Sequence, residues 1–199
     1  MRLLAAVALA IVLGAAACGP SAETATRASS APVPSVPAAR TATAPPKAPS
    51  CVVTPSAAPA SRAIIELTGG GTITIALRPD KAPRTVANFA NIARSGCYDG
   101  LIFHRVVPNF VIQGGDPLGN GTGGGPQPAE YNDLPFVKGA VGIARGPDKT
   151  INNAYQFYIC IGECRSLDGQ YTNFGLVTAG QAVADAVKVG DKIKTIRIE

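Results

Sequence analysis

A single histidine, His104, serves the whole of this 199-residue chain. None is left over to back a serine or cysteine nucleophile, which argues against Ser/His/Asp and Cys/His hydrolases. The Cys160-x3-Cys164 spacing has no histidine nearby and its further cysteines lie far away, poor ligand spacing for zinc, so neither a metal nor another cofactor is expected. Charge is sparse and mixed, with 18 Lys and Arg against 13 Asp and Glu and a net charge of +5. No basic cluster tracks a phosphate backbone, which excludes nucleic acid as a partner. The glycines between Pro117 and Lys138 have no Gly-Lys-Ser/Thr ending and no helix signal after them, so they form a surface loop and not a phosphate cradle. The apolar run Leu3–Leu13 is too short for a comfortable membrane span.

What that run has instead is the layout of a secretory signal peptide over residues 1–17, with Arg2 before it and Ala15-Ala16-Ala17 after it. Cys18 then resembles the lipidated cysteine of a bacterial lipoprotein. Alanine stands at Ala15 where leucine is usual, and the same alanines fit an A-x-A cleavage site that releases a soluble secreted protein. Either way the chain is exported, as a lipoprotein on the outer face of the cell membrane or in the periplasm, or secreted. Residues 18–62 are rich in Ala, Pro, Ser and Thr and offer little to bury, the composition of a disordered linker. Extended by its prolines at about 3.1 Å per residue, it holds a domain as far as about 130 Å from an anchor. Cys51, Cys97, Cys160 and Cys164 are an even set in an exported chain and hence candidate disulfide cysteines. Four cysteines allow three pairings, and the sequence does not choose among them. In one, Cys160 and Cys164 close a short loop and Cys51 pins the end of the linker near Cys97; free thiols are the competing reading.

Residues 63–199 carry the fold. Ala63–Leu67 and Thr72–Leu77 flank a glycine turn, a hairpin signal. Pro83 opens a helical pattern through Val86, Phe89, Ala90, Ile92 and Ala93 that Gly96 stops. Strands are expected near Gly139–Ala144, Tyr155–Ile161, Thr172–Val177 and Lys192–Ile198, with a second helix near Ala179–Val189. Eight or so short strands and two helices describe an all-β domain, a count that often closes into a barrel.

The run Phe103-His104-Arg105-Val106-Val107-Pro108-Asn109-Phe110-Val111-Ile112-Gln113-Gly114-Gly115-Asp116 reads as strand, turn, strand. By alternation Phe103 and Arg105 share one face and His104 turns away from them, which gives His104 a structural role. Val111 and Gln113 share a face as well. A guanidinium and a carboxamide beside apolar surface suit the binding of a neutral, partly hydrophobic peptide.

That run resembles the signature of the cyclophilin family of peptidyl-prolyl isomerases. Further blocks resemble the family in its order: Gly139–Arg145, Asn153–Ile159 and Leu167–Gly175. The resemblance implies a closed eight-stranded antiparallel β-barrel capped by two α-helices, with a packed interior and a substrate groove outside. It implies Arg105 as the catalytic donor. Phe110, Val111, Tyr158 and Leu167 line the proline pocket, Gln113 and Gln156 hold the peptide backbone, and Ala144, Arg145 and Tyr171 complete the substrate-binding set. Several positions depart from the family pattern: Val111 for Met, Arg145 for Asn, Tyr158 for Phe or Leu, Ser166 for Trp and Tyr171 for His. Ser166 implies weak cyclosporin sensitivity.

The expected function is peptidyl-prolyl cis-trans isomerisation that accelerates the folding of exported proteins, with proline-containing polypeptides as partners, in a monomer held to the membrane when Cys18 is lipidated. The alternative is a non-catalytic proline-peptide-binding chaperone or adaptor at the cell envelope.

Overall fold

A computed structural model describes residues 51–199. The expected signal segment, the candidate lipidation residue Cys18 and the expected linker up to residue 50 lie outside the described residues. The elements, in chain order, are β1 (Arg62–Leu67), β2 (Thr72–Leu77), α1 (Pro83–Arg94), β3 (Phe103–Val107), β4 (Val111–Gly114), β5 (Pro126–Pro128), β6 (Ala140–Arg145), β7 (Ile151–Cys160), β8 (Asn173–Ala179), α2 (Gln181–Ala186) and β9 (Ile193–Ile198).

β1 and β2 both alternate buried and half-buried residues, as their β-branched, period-two sequences require, and the turn between them places Gly70 and Gly71 at positive φ. α1 buries Val86, Phe89, Ala90, Ile92 and Ala93. Its first backbone N–H groups have no local side-chain cap. The Glu130 carboxylate instead accepts from the amides of Arg84 at 3.0 Å and Thr85 at 2.7 Å, where the helix dipole favours negative charge. The Phe89 ring packs within 5.5 Å of Tyr98, Phe157 and Phe174, and these aromatics anchor the main core.

The strands make one sheet in the order β3-β4-β7-β6-β8-β2-β1-β9, with β5 paired to β7 off that path. This corrects the expected closed eight-stranded barrel: the sheet is an open, half-barrel sheet of nine strands. Its ends, β3 and β9, meet through one isolated bridge, Ile102 to Lys192. In antiparallel register with that bridge, all of β3 falls opposite residues that precede β9, in the turn after α2, so the two strands themselves do not overlap and only the residues around the bridge pair. β5 arises inside the expected surface loop. Proline at both its ends supplies no N–H, which confines such a segment to an edge.

β7 begins at Ile151, earlier than its apolar pattern suggests, and this length lets it pair with β4, β5 and β6. α2 is shorter than expected, because Gly180 enters it with a left-handed φ of 81° and the chain leaves helical geometry at Val187.

Residues 51–61, assigned by composition to the linker, run along the end of α1. The Thr54 amide donates to Ser95 Oγ and the Ser56 amide to Asn91 Oδ1, while Arg94 donates to the carbonyls of Ala58 and Pro59. A disulfide joins Cys51 to Cys97. Cys160 and Cys164, by contrast, are buried free thiols, so the short-loop disulfide between them is not formed. No helix among the described residues is long and apolar enough to cross a membrane.

Candidate active site

β3, β4, β7 and β6 are adjacent, and their registers align one row of residues across all four. Arg105 lies opposite Gln113, Gln113 opposite Tyr158, and Tyr158 opposite Gly142. Directly paired residues share a face, so Arg105, Gln113 and Tyr158 stand together on the outer side of the sheet. Ile112, Phe157, Ile159, Val141 and Ile143 point the other way into the main core.

The register slips between Phe103 and Arg105, so that Phe103 faces Gly114 while Arg105 faces Gln113. A β-bulge at His104 adds the odd residue. This corrects the alternation argument: Phe103 is fully buried in the core and Arg105 emerges on the opposite face. Across a bulge, alternation no longer separates His104 from Arg105. His104 is half-buried, and a Cβ placed on Gly121 would lie 3.9 Å from its ring atoms. Both its ring nitrogens lack a protein partner, and burial lowers its pKa from the ordinary 6.5.

Arg105, Phe110, Val111, Gln113, Ala144, Arg145, Tyr158, Leu167 and Tyr171 line a concavity of about 280 Å³. The structure thus gathers nine of the ten residues named from the sequence around one hollow. Beneath it lies a second apolar cluster that includes Val111, Phe136, Ala140, Tyr158, Cys160 and Cys164. Burial raises the pKa of both thiols, that of Cys160 well above its usual value, which suits packing groups better than nucleophiles.

Tyr158 forms the floor. Its ring stacks on Phe136 at 5.8 Å and meets Tyr171 edge-on at 5.9 Å. Tyr171 is held in turn by Arg145, whose guanidinium carbon sits 4.4 Å from the ring centroid and whose Nε donates to the Gln170 carbonyl at 3.0 Å. The Arg145 side chain is therefore part of the wall and ties strand β6 to the segment after the 3-10 turn Arg165–Leu167.

Gln156, the tenth residue, lies behind the hollow. Its Nε2 donates to the carbonyls of Gly123 at 2.8 Å and Gly121 at 3.1 Å, and its Oε1 accepts from Gln113 Nε2 at 2.9 Å. Gln113 Oε1 accepts from Arg105 Nη1 at 3.3 Å. The relay ends on a guanidinium at the rim of a pocket with mixed walls, polar at Arg105, Gln113 and Arg145 and apolar at Phe110, Val111 and Leu167. No group of three or more His, Cys, Asp or Glu side chains suited to a metal occurs among the described residues.

The family model for "Cyclophilin type peptidyl-prolyl cis-trans isomerase/CLD" matches residues 63–199. The chain belongs to the cyclophilin family. It is 42% identical over 137 residues to peptidyl-prolyl cis-trans isomerase B of Bacillus subtilis, covering 67% of this chain and 94% of that one. A peptidyl-prolyl cis-trans isomerase of Synechococcus elongatus is 40% identical over 142 residues, covering 69% and 96%. A crystal structure of a cyclophilin-type isomerase of Cryptosporidium parvum in the presence of the dipeptide Ala-Pro superposes with a TM-score of 0.64 at 27% identity, covering 69% of this chain and 98% of that one. This cyclophilin is an isomerase of peptidyl-prolyl bonds.

Sequence reasoning missed four contributors to the site. Gly142 makes room for Tyr158, Phe136 stacks beneath it, and the Gly121 and Gly123 carbonyls hold Gln156. The glycine inside the apolar run Val141-Gly142-Ile143 was a visible sign of a close approach.

Proposed function

We propose that Arg105 is the catalytic donor of this isomerase and that the concavity beside it receives the proline ring of an exported polypeptide. Rotation about an X-Pro bond must break amide resonance, a barrier of about 18–20 kcal/mol. At the twisted transition state the prolyl nitrogen becomes pyramidal and its lone pair localises. A donor aimed there is stronger in the transition state than in the ground state, which is what accelerates the step. One such donor in a groove shielded from water contributes about 3–4 kcal/mol.

The observation that carries this reading is the Arg105 to Gln113 contact at 3.3 Å on the rim of a pocket whose apolar side is made by Phe110, Val111, Leu167 and the Tyr158 ring. A bond of that length is weak, so the guanidinium has donors free for the substrate. Val111, Phe110, Leu167 and the Tyr158 ring give the proline ring its apolar surroundings; Gln113, with Ala144, Arg145 and Tyr171, holds the peptide backbone, and the expected direct contact from Gln156 is replaced by a role behind Gln113, because Gln156 is buried and its amide is already bonded.

The test is a protease-coupled isomerisation assay on an X-Pro peptide with the wild type beside Arg105→Ala. The wild type is expected to exceed the variant by on the order of a hundredfold. Equal rates from both, neither above background, would leave only a proline-peptide-binding chaperone or adaptor at the cell envelope.

We further propose export, with Cys18 lipidated and the chain from there to residue 50 acting as the tether of a monomeric domain, since residues 51–61 are fastened to α1. The signal-peptide layout supports this, as does the Cys51–Cys97 disulfide, a bond that persists in oxidising compartments. The intact mass of the mature protein tests it: a diacylated N-terminal Cys18 is expected, and a chain cleaved without added lipid would mean a secreted soluble form.

A further inference from the structure

We propose that Asp116 is a positioning residue of the isomerase site: by clamping the loop that follows it, Asp116 decides which way Gln156 and Gln113 face and so holds Arg105 over the pocket. This rests on the reading of Arg105 as the donor.

Asp116 is fully buried at the end of the signature run. A carboxylate withdrawn from water is costly unless its oxygens are well hydrogen-bonded. Here Oδ1 accepts from the Leu118 amide at 2.9 Å, and Oδ2 accepts from the amides of Asn120 at 2.9 Å and Gly121 at 2.5 Å. All three donors belong to a loop in which Gly119, Gly121 and Gly124 adopt positive φ. Glycine-rich backbone has many conformations to lose, and three bonds to one buried group select one of them.

The chosen conformation aims the Gly121 and Gly123 carbonyls at Gln156 Nε2. Asn153 secures the same spot, donating from Nδ2 to the Gly123 carbonyl at 2.9 Å and accepting the Gln156 amide at Oδ1. Gln156 is 2% exposed, so its NH2 group has no water to turn to. With NH2 fixed toward the loop, its oxygen must face Gln113, whose own oxygen must then face Arg105. An amide has a donor end and an acceptor end, so orientation passes along the relay. If the loop carbonyls are withdrawn, Gln156 turns to satisfy its NH2. Gln113 then meets donors on both sides, and its NH2 comes to face the guanidinium. Arg105 loses its acceptor and leaves the rim.

The test uses the full chain and four variants: Asp116→Asn, Gln156→Ala, their combination, and Arg105→Ala. Asp116→Asn keeps the size of the side chain but replaces one acceptor oxygen with a donor. It is expected to lower kcat roughly tenfold, the scale of a small misplacement of a catalytic group, with KM for an X-Pro peptide nearly unchanged. The double variant is expected to be no slower than Gln156→Ala, because both act through one relay. Losses that multiply, or full activity in Asp116→Asn beside an impaired Arg105→Ala, would overturn the proposal. Full activity in Arg105→Ala would instead overturn the site reading beneath it. Should Asp116→Asn not fold, Gly123→Ala approaches from the other side, since a Cβ there would collide with Asp116 Oδ1. Nuclear magnetic resonance of the wild type adds an independent measure. The Gln156 side-chain NH2 is expected as a distinct, exchange-protected pair, and rapid exchange with solvent counts against the relay.

Discussion

The Tyr158 hydroxyl and phenol carbon occupy the space that a Cβ on Gly142 would need. The two residues face each other across β7 and β6, so the floor of the pocket exists because its cross-strand neighbour has no side chain. The hydroxyl itself is buried and has no hydrogen-bond partner.

Two opposite outcomes are expected from this pair. Gly142→Ala forces Tyr158 up into the pocket; it should cost about 1–3 kcal/mol of stability by overpacking and suppress isomerisation. Tyr158→Phe deletes an unsatisfied polar group and should stabilise the fold by about 1 kcal/mol while leaving isomerisation intact. Urea denaturation of both variants measures this, and a destabilised Tyr158→Phe would contradict it.

The Cys51–Cys97 disulfide closes a stretch with a sequence separation of 46. Cross-linking a loop of that length restricts the unfolded chain by up to about 4 kcal/mol. Cys51→Ser is expected to lower the denaturation midpoint accordingly. Well below that midpoint its isomerase rate should match the wild type, because no residue of the 51–61 segment lines the pocket. An unchanged midpoint would show that the bond constrains little.

His104 gives a pH dependence of definite sign. Burial holds its pKa below the ordinary 6.5, and the neighbouring Arg105 cation adds to this against the opposing pull of Asp116. The folded state therefore favours neutral imidazole. That contribution to stability is complete above pH 6.5 and is lost as pH falls through the folded value. The Arg197 hydrogen bond holds Glu66 below 4.5, and the Lys81 hydrogen bond holds Asp133 below 3.8; their contributions persist above those values and are lost only in stronger acid. Denaturation midpoints between about pH 7 and pH 5 should decline in the wild type and stay flat in His104→Gln. Identical slopes would assign the decline elsewhere.

Ser166 sits exposed in the 3-10 turn Arg165–Leu167, beside the pocket residue Leu167. The family resemblance implies that many members carry at this position a tryptophan important for cyclosporin binding, and a serine offers little apolar area in its place. Weak inhibition by cyclosporin is expected, and Ser166→Trp should tighten it on the order of tenfold or more. Nanomolar inhibition of the wild type would refute the argument.

Much of the site was legible along the chain because local patterns carry it. Phe110, Val111 and Gln113 lie within a few residues of Arg105, and the alternation of β4 alone places Val111 and Gln113 on one face. The pairing of the cysteines was not legible, since it depends on how the 51–61 segment lies along α1, a matter of hydrogen bonds to Asn91, Ser95 and Arg94. The face of Arg105 was misjudged for a definite reason. Alternation holds only while two strands keep register, and the bulge at His104 is a property of the pair β3 and β4, not of β3.

By itself the sequence determined the family, the hairpin, the first helix and most of the side chains that line the hollow, because signature motifs and periodicity are written in neighbouring residues. The tertiary structure alone decided that the sheet stays open between β3 and β9, that Arg105 emerges on the groove side, that Cys160 and Cys164 remain thiols, and that Asp116 sits behind the relay to Gln113. Each of these turns on register or contact between segments far apart in the chain, and such relations come into being only when the strands are laid side by side.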